Sequence, residues 1–278
     1  MTAIASLPHR ALIRLTGPDW ASFLKGLCTA DIDVLAAEAT EGRFSVLHYG
    51  AFLRPQGKMY ADCLLHAVAA DEIWLDVPLS AREELLAKLN MYKLRAKVTV
   101  EAADKPVSVA FGGPLPTDFL TDPRSKIIGA SFGFIYESRT SSDSNWPAFR
   151  LAHGLSDPGT DFGADELYPI DANLDLLDAI DFHKGCYVGQ ELTSRMKRRG
   201  QIKNRLLPLK SQAELPKGME ILLGDRKVGE VIAAHGHQAL GLMRLDRLTQ
   251  VEVTCEDKSA EVLVPAWIAP HISLGEIT

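Results

Sequence analysis

The stretch from which we interpret this chain is Lys184-Gly185-Cys186-Tyr187-Val188-Gly189-Gln190-Glu191. The residues from 189 to 199 are mostly good helix formers, with an acidic residue in the first turn and basic residues in the last, and this order suits a helix dipole. Glu191 and Arg195 are spaced to form an i,i+4 ion pair, and Gly200 suits a left-handed cap. The sequence therefore predicts a helix over 189–199.

Cys186 then lies at or just before the start of this helix, and its residue pattern fits two roles. It can be a small core residue between glycines that only mark turns, since free cysteines are usually buried. Alternatively, the helix amides and the Lys184 ammonium favour its thiolate over its thiol, which makes a reactive group. The residues alone leave both roles open.

The octapeptide resembles the signature of the YgfZ-type folate-binding proteins. These are relatives of the glycine-cleavage T protein (aminomethyltransferase), and they include the mitochondrial assembly factor for iron-sulfur enzymes. Three other segments are similar to that family: 10–33, 55–62 and 167–175. The resemblance implies an α+β folate-binding region around a central channel, in two interleaved subdomains over 1–200, and a small antiparallel β-barrel over 201–278.

The residue pattern supports the same fold class. Before residue 200, strand-like and helix-like segments alternate without regular βαβ repeats, which is typical of an α+β domain. Between Leu206 and Trp267, short apolar runs are separated by turn signals such as Gly224-Asp225 and Gly236. Runs of this spacing predict a small antiparallel barrel.

The resemblance also implies a folate site. A reduced folate has a pterin edge that donates hydrogen bonds and an anionic tail, so a carboxylate suits one end and a basic residue the other. Asp171 matches the glutamate that grips the pterin in T protein, and Asp62 matches the second of two acids near the reacting nitrogen. The first of those acids is Ala61 here. Cys186 replaces an aspartate, and Gln190 replaces a basic residue.

The predicted catalytic residues are Cys186 and Lys184. The predicted tetrahydrofolate-binding residues are Asp62, Asp171, Tyr187, Gln190, Glu191 and Arg195. Because Gln190 stands where the family has a basic residue, we expect Arg195, Lys197 or Arg198 to supply the cation that binds the anionic tail.

Several of these residues also fit plainer roles. Asp171 suits the N-cap of a helix that would start near Leu174. Asp62 suits a solvated strand position, and the basic run 195–199 suits a solvated helix end. Tyr187 suits packing as well as stacking on a pterin.

The predicted function is a tetrahydrofolate-binding accessory protein. It would support assembly or repair of iron-sulfur clusters in client enzymes, including enzymes that modify tRNA. One alternative is a folate-dependent one-carbon transferase, against which Ala61 counts, and the other is a non-catalytic scaffold. The chain is aminomethyltransferase-like, but we do not expect a glycine-cleavage enzyme.

Composition limits the partners and the location. The chain has 278 residues, a net charge of −6 and 24% charged residues, which argues against broad nucleic-acid binding. Its four cysteines lie far apart with no C-x-x-C pair, so no disulfide framework or zinc site is expected. No segment reaches transmembrane length, and no secretory leader is recognisable at the start. We expect folate and iron-sulfur proteins as partners, no membrane contact and a cytoplasmic location.

Overall fold

The structure is a computed structural model that describes residues 1–139, 145–200 and 202–275. The strands are β1 (Ala3–Ser6), β2 (Arg10–Thr16), β3 (Leu47–Leu53), β4 (Met59–Ala69), β5 (Glu72–Pro78), β6 (Thr99–Ala103), β7 (Ser108–Phe111), β8 (Leu120–Thr121), β9 (Phe132–Ile135), β10 (Asn204–Ser211), β11 (Glu220–Leu223), β12 (Arg226–His235), β13 (Gln238–Arg244), β14 (Glu252–Cys255) and β15 (Lys258–Val262). The helices are α1 (Trp20–Lys25), α2 (Ile32–Thr40), α3 (Leu79–Tyr92), α4 (Arg124–Ile128), α5 (Trp146–Ala152), α6 (Gln190–Arg199) and a 3-10 turn (Ala269–His271).

Two antiparallel sheets precede the barrel; β1 belongs to the smaller sheet, β2 to β6 form the larger one, and β7 to β9 complete the smaller one. One sheet has the order β3-β4-β5-β2-β6 and the other β1-β7-β9-β8. Strand β4 of the larger sheet buries both faces over most of its length. Leu64 and Leu65 of β4 therefore belong to different hydrophobic clusters, because neighbouring side chains on a strand point to opposite faces.

The two faces of the larger sheet have different coverings. Side chains from α1, α2 and α3 pack on one face with Ile13 and Leu15. The other face packs with the smaller sheet, α5 and the segment 155–187. That second face holds the polar interior described below.

The last strands form a closed barrel with the order β10-β13-β12-β11-β14-β15. Leu209 of β10 pairs with Val262 of β15, which closes it. The predicted α+β fold with a C-terminal antiparallel barrel is confirmed. The domain bounds 1–200 and 201–278 stay a prediction. Within the described residues, no helix is long and apolar enough to cross a membrane.

Candidate functional site

Helix α6 is fixed in place by two glycines. Gly189 precedes it with a φ of +82°, and a Cβ atom there would lie 2.5 Å from the Arg54 carbonyl oxygen. Gly57, in the turn between β3 and β4, has a φ of +75°, and its Cβ would lie 3.1 Å from that of Leu192. Only glycine allows this close approach of the turn to the helix. The predicted helix and its left-handed cap at Gly200, with φ of +66°, are confirmed.

Cys186 is exposed, whereas the other three cysteines are buried. It lies in the loop before α6, four positions ahead of the first helical residue, and it lines an open groove of about 600 Å³. The groove residues come from this loop and from one face of α6. They are Phe182, Cys186, Tyr187, Gln190, Glu191, Ser194, Lys197 and Arg198. Of the two roles that the sequence left open, the buried core residue is therefore wrong.

Lys184 is half-buried, and its ammonium points to the main chain of a distant loop. Its Nζ donates hydrogen bonds to the carbonyl oxygens of Cys28 and Ala30, both at 2.7 Å. Burial lowers the pKa of Lys184, and the negative potential of neighbouring groups opposes that change. This lysine therefore ties the Cys186 loop to the residues after α1. That the Lys184 ammonium favours the Cys186 thiolate stays a prediction.

Tyr187 packs in the core, with 6% of its surface exposed. Burial raises the pKa of its phenol to about 12. Its hydroxyl has no hydrogen-bond partner within the described residues. The Tyr187 ring lies 5.3 Å from the Lys184 Nζ. Because it is held in the core and also lines the groove, it forms a rigid wall of the groove.

The cations on α6 differ in how they are paired. Arg195 donates to Glu191 at 2.5 Å, as the i,i+4 spacing predicted. Lys197 pairs at 3.1 Å with the carboxylate of Asp175. Arg198 also lines the groove, and within the described chain its side chain forms no ion pair; its Nε donates only to the Ser194 carbonyl oxygen, at 3.4 Å. Of the three expected cations, Arg198 is thus the one available to an anion.

Sequence reasoning missed Arg205, which connects the barrel to the segment before α6. Its guanidinium is 1% exposed and binds Asp175 through two hydrogen bonds of 2.5 and 3.0 Å. It also donates to the Ile170 carbonyl oxygen at 2.9 Å. An arginine near the start of a barrel strand was the available signal, but its partner lies 30 residues earlier and no local pattern joins them.

Asp171 is 5% exposed and lies in a series of turns, so it does not cap a helix. Burial raises the pKa of its carboxyl to about 6, although the Tyr168 main chain, Lys58 and Arg205 oppose the rise. It is not one of the groove residues. Because burial raises its pKa, this carboxyl is protonated more readily than an exposed one. Such a group suits hydrogen bonding to a polar ligand.

Asp62 lies in a buried ionic cluster between the two sheets. Its Oδ1 accepts from Arg10 at 2.9 Å, and its Oδ2 accepts from the Tyr49 hydroxyl at 3.2 Å. Arg10 also binds Asp76 at 2.8 Å. Burial raises the pKa of Asp62, and it raises that of Asp76 to about 6. Asp62 is 2% exposed, so the solvated strand position is wrong.

The cavity that Asp62 lines is about 20 Å³, which has room for about one water. Arg124 and Arg150 also line it, and each is paired with its own aspartate, Asp122 and Asp161. The predicted site residues therefore do not form one site. Four of them share the open groove, while Asp62 is enclosed by internal ion pairs. Within the described residues, no group of three or more His, Cys, Asp or Glu side chains is placed to hold a metal ion.

Comparison with solved structures defines the class of fold. The chain superposes on the glycine cleavage system aminomethyltransferase T from Bartonella henselae with a TM-score of 0.73 and 16% sequence identity. The match covers 100% of this chain and 88% of the other. The protein therefore has a T-protein-like fold.

The curated proteins that are similar to this chain include iron-sulfur cluster assembly factors. The chain is 30% identical to the mitochondrial iron-sulfur cluster assembly factor IBA57 homolog of Mycosarcoma maydis, over 74% of this chain and 56% of the relative. It is 28% identical to mitochondrial IBA57 of Mus musculus, over 87% of this chain and 77% of the relative. Residues 203–270 match the family model for the CAF17 C-terminal beta-barrel domain.

These relatives confirm the predicted resemblance to an iron-sulfur assembly factor, and the narrower YgfZ type stays a prediction. One prediction is wrong. We expected a cytoplasmic protein, but the curated relatives are named as mitochondrial. That expectation rests on the lack of a recognisable secretory leader and of a transmembrane-length segment, and neither distinguishes a cytoplasmic from a mitochondrial protein.

Proposed function

We propose that this chain supports the assembly or repair of iron-sulfur clusters in client enzymes, with Cys186 as its functional thiol. The observation that carries the proposal is that Cys186 is exposed in an open groove while the other cysteines are buried. The similarity to IBA57 proteins over most of the chain supports the iron-sulfur role. Client enzymes that modify tRNA belong to the same proposal.

The thiol has three chemical roles open to it: nucleophile, redox group or transient cluster ligand. As a ligand it supplies one thiolate, whereas a cluster is normally held by four protein ligands. Cys186 would therefore need a partner protein to complete the set. An open groove suits this, because a second protein can reach it.

We further propose that the protein binds tetrahydrofolate, with Asp171 on the pterin edge. The T-protein-like fold and the buried carboxyl of Asp171 support this. The groove is within the size of small-molecule sites, roughly 300–1,000 Å³, and Arg198 lies there for the anionic tail. Asp171 lies outside the groove lining, so the folate would have to extend beyond the groove to reach it. Tyr187, Gln190 and Glu191 would complete the contacts. The cavity beside Asp62 has no room for a pteridine ring without rearrangement.

The aminomethyl chemistry of T protein is not part of the proposal. Ala61 replaces one of its two acids, and Asp62 is held by Arg10 and Tyr49. A carboxylate that is already bound on both oxygens is poorly placed to exchange a proton with a substrate.

The iron-sulfur role is tested in a strain that lacks the natural gene, with an iron-sulfur enzyme activity as readout and modified tRNA nucleosides as a second one. Cys186→Ala should lose both, while its unfolding free energy changes by less than about 0.5 kcal/mol because the side chain is exposed. Cys255→Ser is the control, since it removes a buried thiol in the barrel. Full activity of Cys186→Ala would refute the proposal.

Folate binding is tested by calorimetric titration of the wild-type protein and of Asp171→Ala with tetrahydrofolate. We expect binding by the first and at least tenfold weaker binding by the second. If the wild-type protein gives no heat of binding, the chain is a scaffold with a vestigial pocket.

A further inference from the structure

Two distant segments of the chain are joined by hydrogen bonds, and one of them carries the exposed thiol. We call residues 179–188, which lead into α6, the thiol loop, and residues 26–30, which follow α1, the anchor segment. The Thr29 hydroxyl donates to the Ala179 carbonyl oxygen at 2.7 Å, and the Asp181 amide donates to the Thr29 carbonyl oxygen at 2.9 Å. The anchor segment therefore holds the start of the thiol loop through a single residue.

The second half of the thiol loop is also bound to the anchor segment. The Lys184 Nζ donates to the carbonyl oxygens of Cys28 and Ala30, both at 2.7 Å. The Val188 amide donates to the Gly26 carbonyl oxygen at 3.1 Å. The thiol loop is thus tied to the anchor segment along most of its length.

Cys186 lies between two of these hydrogen-bonded residues. It is two positions from Lys184 and two from Val188, and two residues of extended chain span at most about 7 Å. A Cβ atom added at Gly185 would meet no described atom within 4 Å, so the loop has open space beside the cysteine. The position of the thiol is therefore set by the residues that are bound on either side of it.

The anchor segment is itself fixed to β3, an edge strand of the larger sheet. The Thr29 amide donates to the Ala51 carbonyl oxygen at 3.0 Å, and the Ala51 amide donates to the Thr29 hydroxyl at 2.8 Å. The segment also packs directly on the strand, since a Cβ atom at Gly50 would lie 2.8 Å from that of Ala30. The edge of the sheet thus supports the anchor segment, and the anchor segment supports the thiol loop.

Thr29 is the residue that joins the strand to the loop. It is 0% exposed, and its hydroxyl accepts from β3 and donates to the thiol loop. Thr29 carries no charge and is not one of the groove residues. An effect of Thr29 on Cys186 therefore has to act through the position of the loop.

We propose that Thr29 and Lys184 are positioning residues, which hold the thiol loop so that Cys186 faces the groove. This inference rests on the proposed function, since the position matters only if the thiol is functional. It gives Lys184 a role that does not depend on its charge, because its ammonium binds two main-chain carbonyl oxygens of the anchor segment. Loss of either side chain should loosen the loop without altering the cysteine itself.

The first measurement is the mobility of a nitroxide spin label attached to Cys186 by a methanethiosulfonate reagent. The other cysteines are buried, so the label reacts at Cys186. Thr29→Val keeps the shape of the side chain but removes its hydroxyl, and it should make the rotational correlation time of the label about twofold shorter. Lys184→Met should shorten it in the same way. A role of Lys184 through charge alone would leave the spectrum unchanged.

The second measurement is iron-sulfur enzyme activity in the strain that lacks the natural gene, per amount of soluble variant. Thr29→Val should retain about a tenth of the wild-type activity, and Thr29→Ser, which keeps the hydroxyl, should recover most of it. Ser108→Ala is the matched control and should leave spectrum and activity near wild type. Ser108 of the smaller sheet is also 0% exposed, and its hydroxyl donates to the Glu137 carbonyl oxygen at 2.9 Å and accepts from the Arg139 amide at 3.3 Å.

Three outcomes would overturn the inference: an unchanged label spectrum in Thr29→Val and Lys184→Met, full activity of Thr29→Val, or equal losses in Thr29→Val and Ser108→Ala. If Thr29→Val is not recovered as folded protein, Lys184→Met decides by the same spectrum and the same activity. If Cys186→Ala is inactive and the label spectra are unchanged, only this inference fails. If Cys186→Ala is fully active, the proposed function fails whatever the spectra show.

Discussion

The interior between the two sheets and the groove beside α6 differ in how their charges are used. In the interior, Arg10 is bound to Asp62 and Asp76, and the cavity has room for about one water. In the groove, Cys186 is exposed and Arg198 has no ion pair with a described residue. The charges of the interior are therefore paired with one another, while the groove keeps free chemical groups. We infer that the thiol chemistry proposed for this chain takes place at the surface.

The largest expected effect comes from breaking the interior cluster. Arg10→Ala leaves buried carboxylates without a partner, so it should lower the unfolding free energy by ~3–5 kcal/mol. Urea denaturation measures this. Arg14→Ala is a matched control on the same strand, because its pairs with Glu72 and Glu101 are partly exposed, and its effect should be much smaller. Equal effects would mean that the cluster is not a structural unit.

The next effect concerns Asp171 and pH. Its folded-state pKa, about 6, is above its unfolded value, so the folded protein binds this proton more tightly. That contribution to stability is fully present below about pH 4 and is lost as the pH rises through about 6, a loss of roughly 3 kcal/mol. Asp171→Asn should remove this part of the pH dependence and be the more stable protein at pH 7.5. An unchanged slope in denaturation curves between pH 4 and 7 would contradict it.

A smaller effect distinguishes the two glycines of the octapeptide. Gly189→Ala forces a side chain into the left-handed region and against the Arg54 carbonyl oxygen at 2.5 Å, so it should cost about 2 kcal/mol. Gly185→Ala meets no atom within 4 Å and should cost less than about 0.5 kcal/mol. Thermal unfolding of both variants measures the difference. Similar costs would mean that α6 is not held by the close approach at Gly189.

Local signals predicted part of this structure. The bounds of α6 and its Glu191–Arg195 pair followed from residue types within one helix. The surroundings of the key side chains did not, because they depend on distant partners. Lys184 donates to a residue 156 positions earlier, and Asp62 accepts from Arg10 across the sheet. The sequence around Cys186 is also compatible with either a buried or an exposed cysteine, so only the fold could show which of the two it is.

The most direct test of the account is the reactivity of the thiols in the folded protein. Iodoacetamide is added under native conditions, and the modified cysteines are identified by peptide mass mapping over time. The account predicts that Cys186 is fully modified before Cys28, Cys63 or Cys255 reacts, because burial protects those three. Modification of all four thiols at one rate, or protection of Cys186, would contradict it.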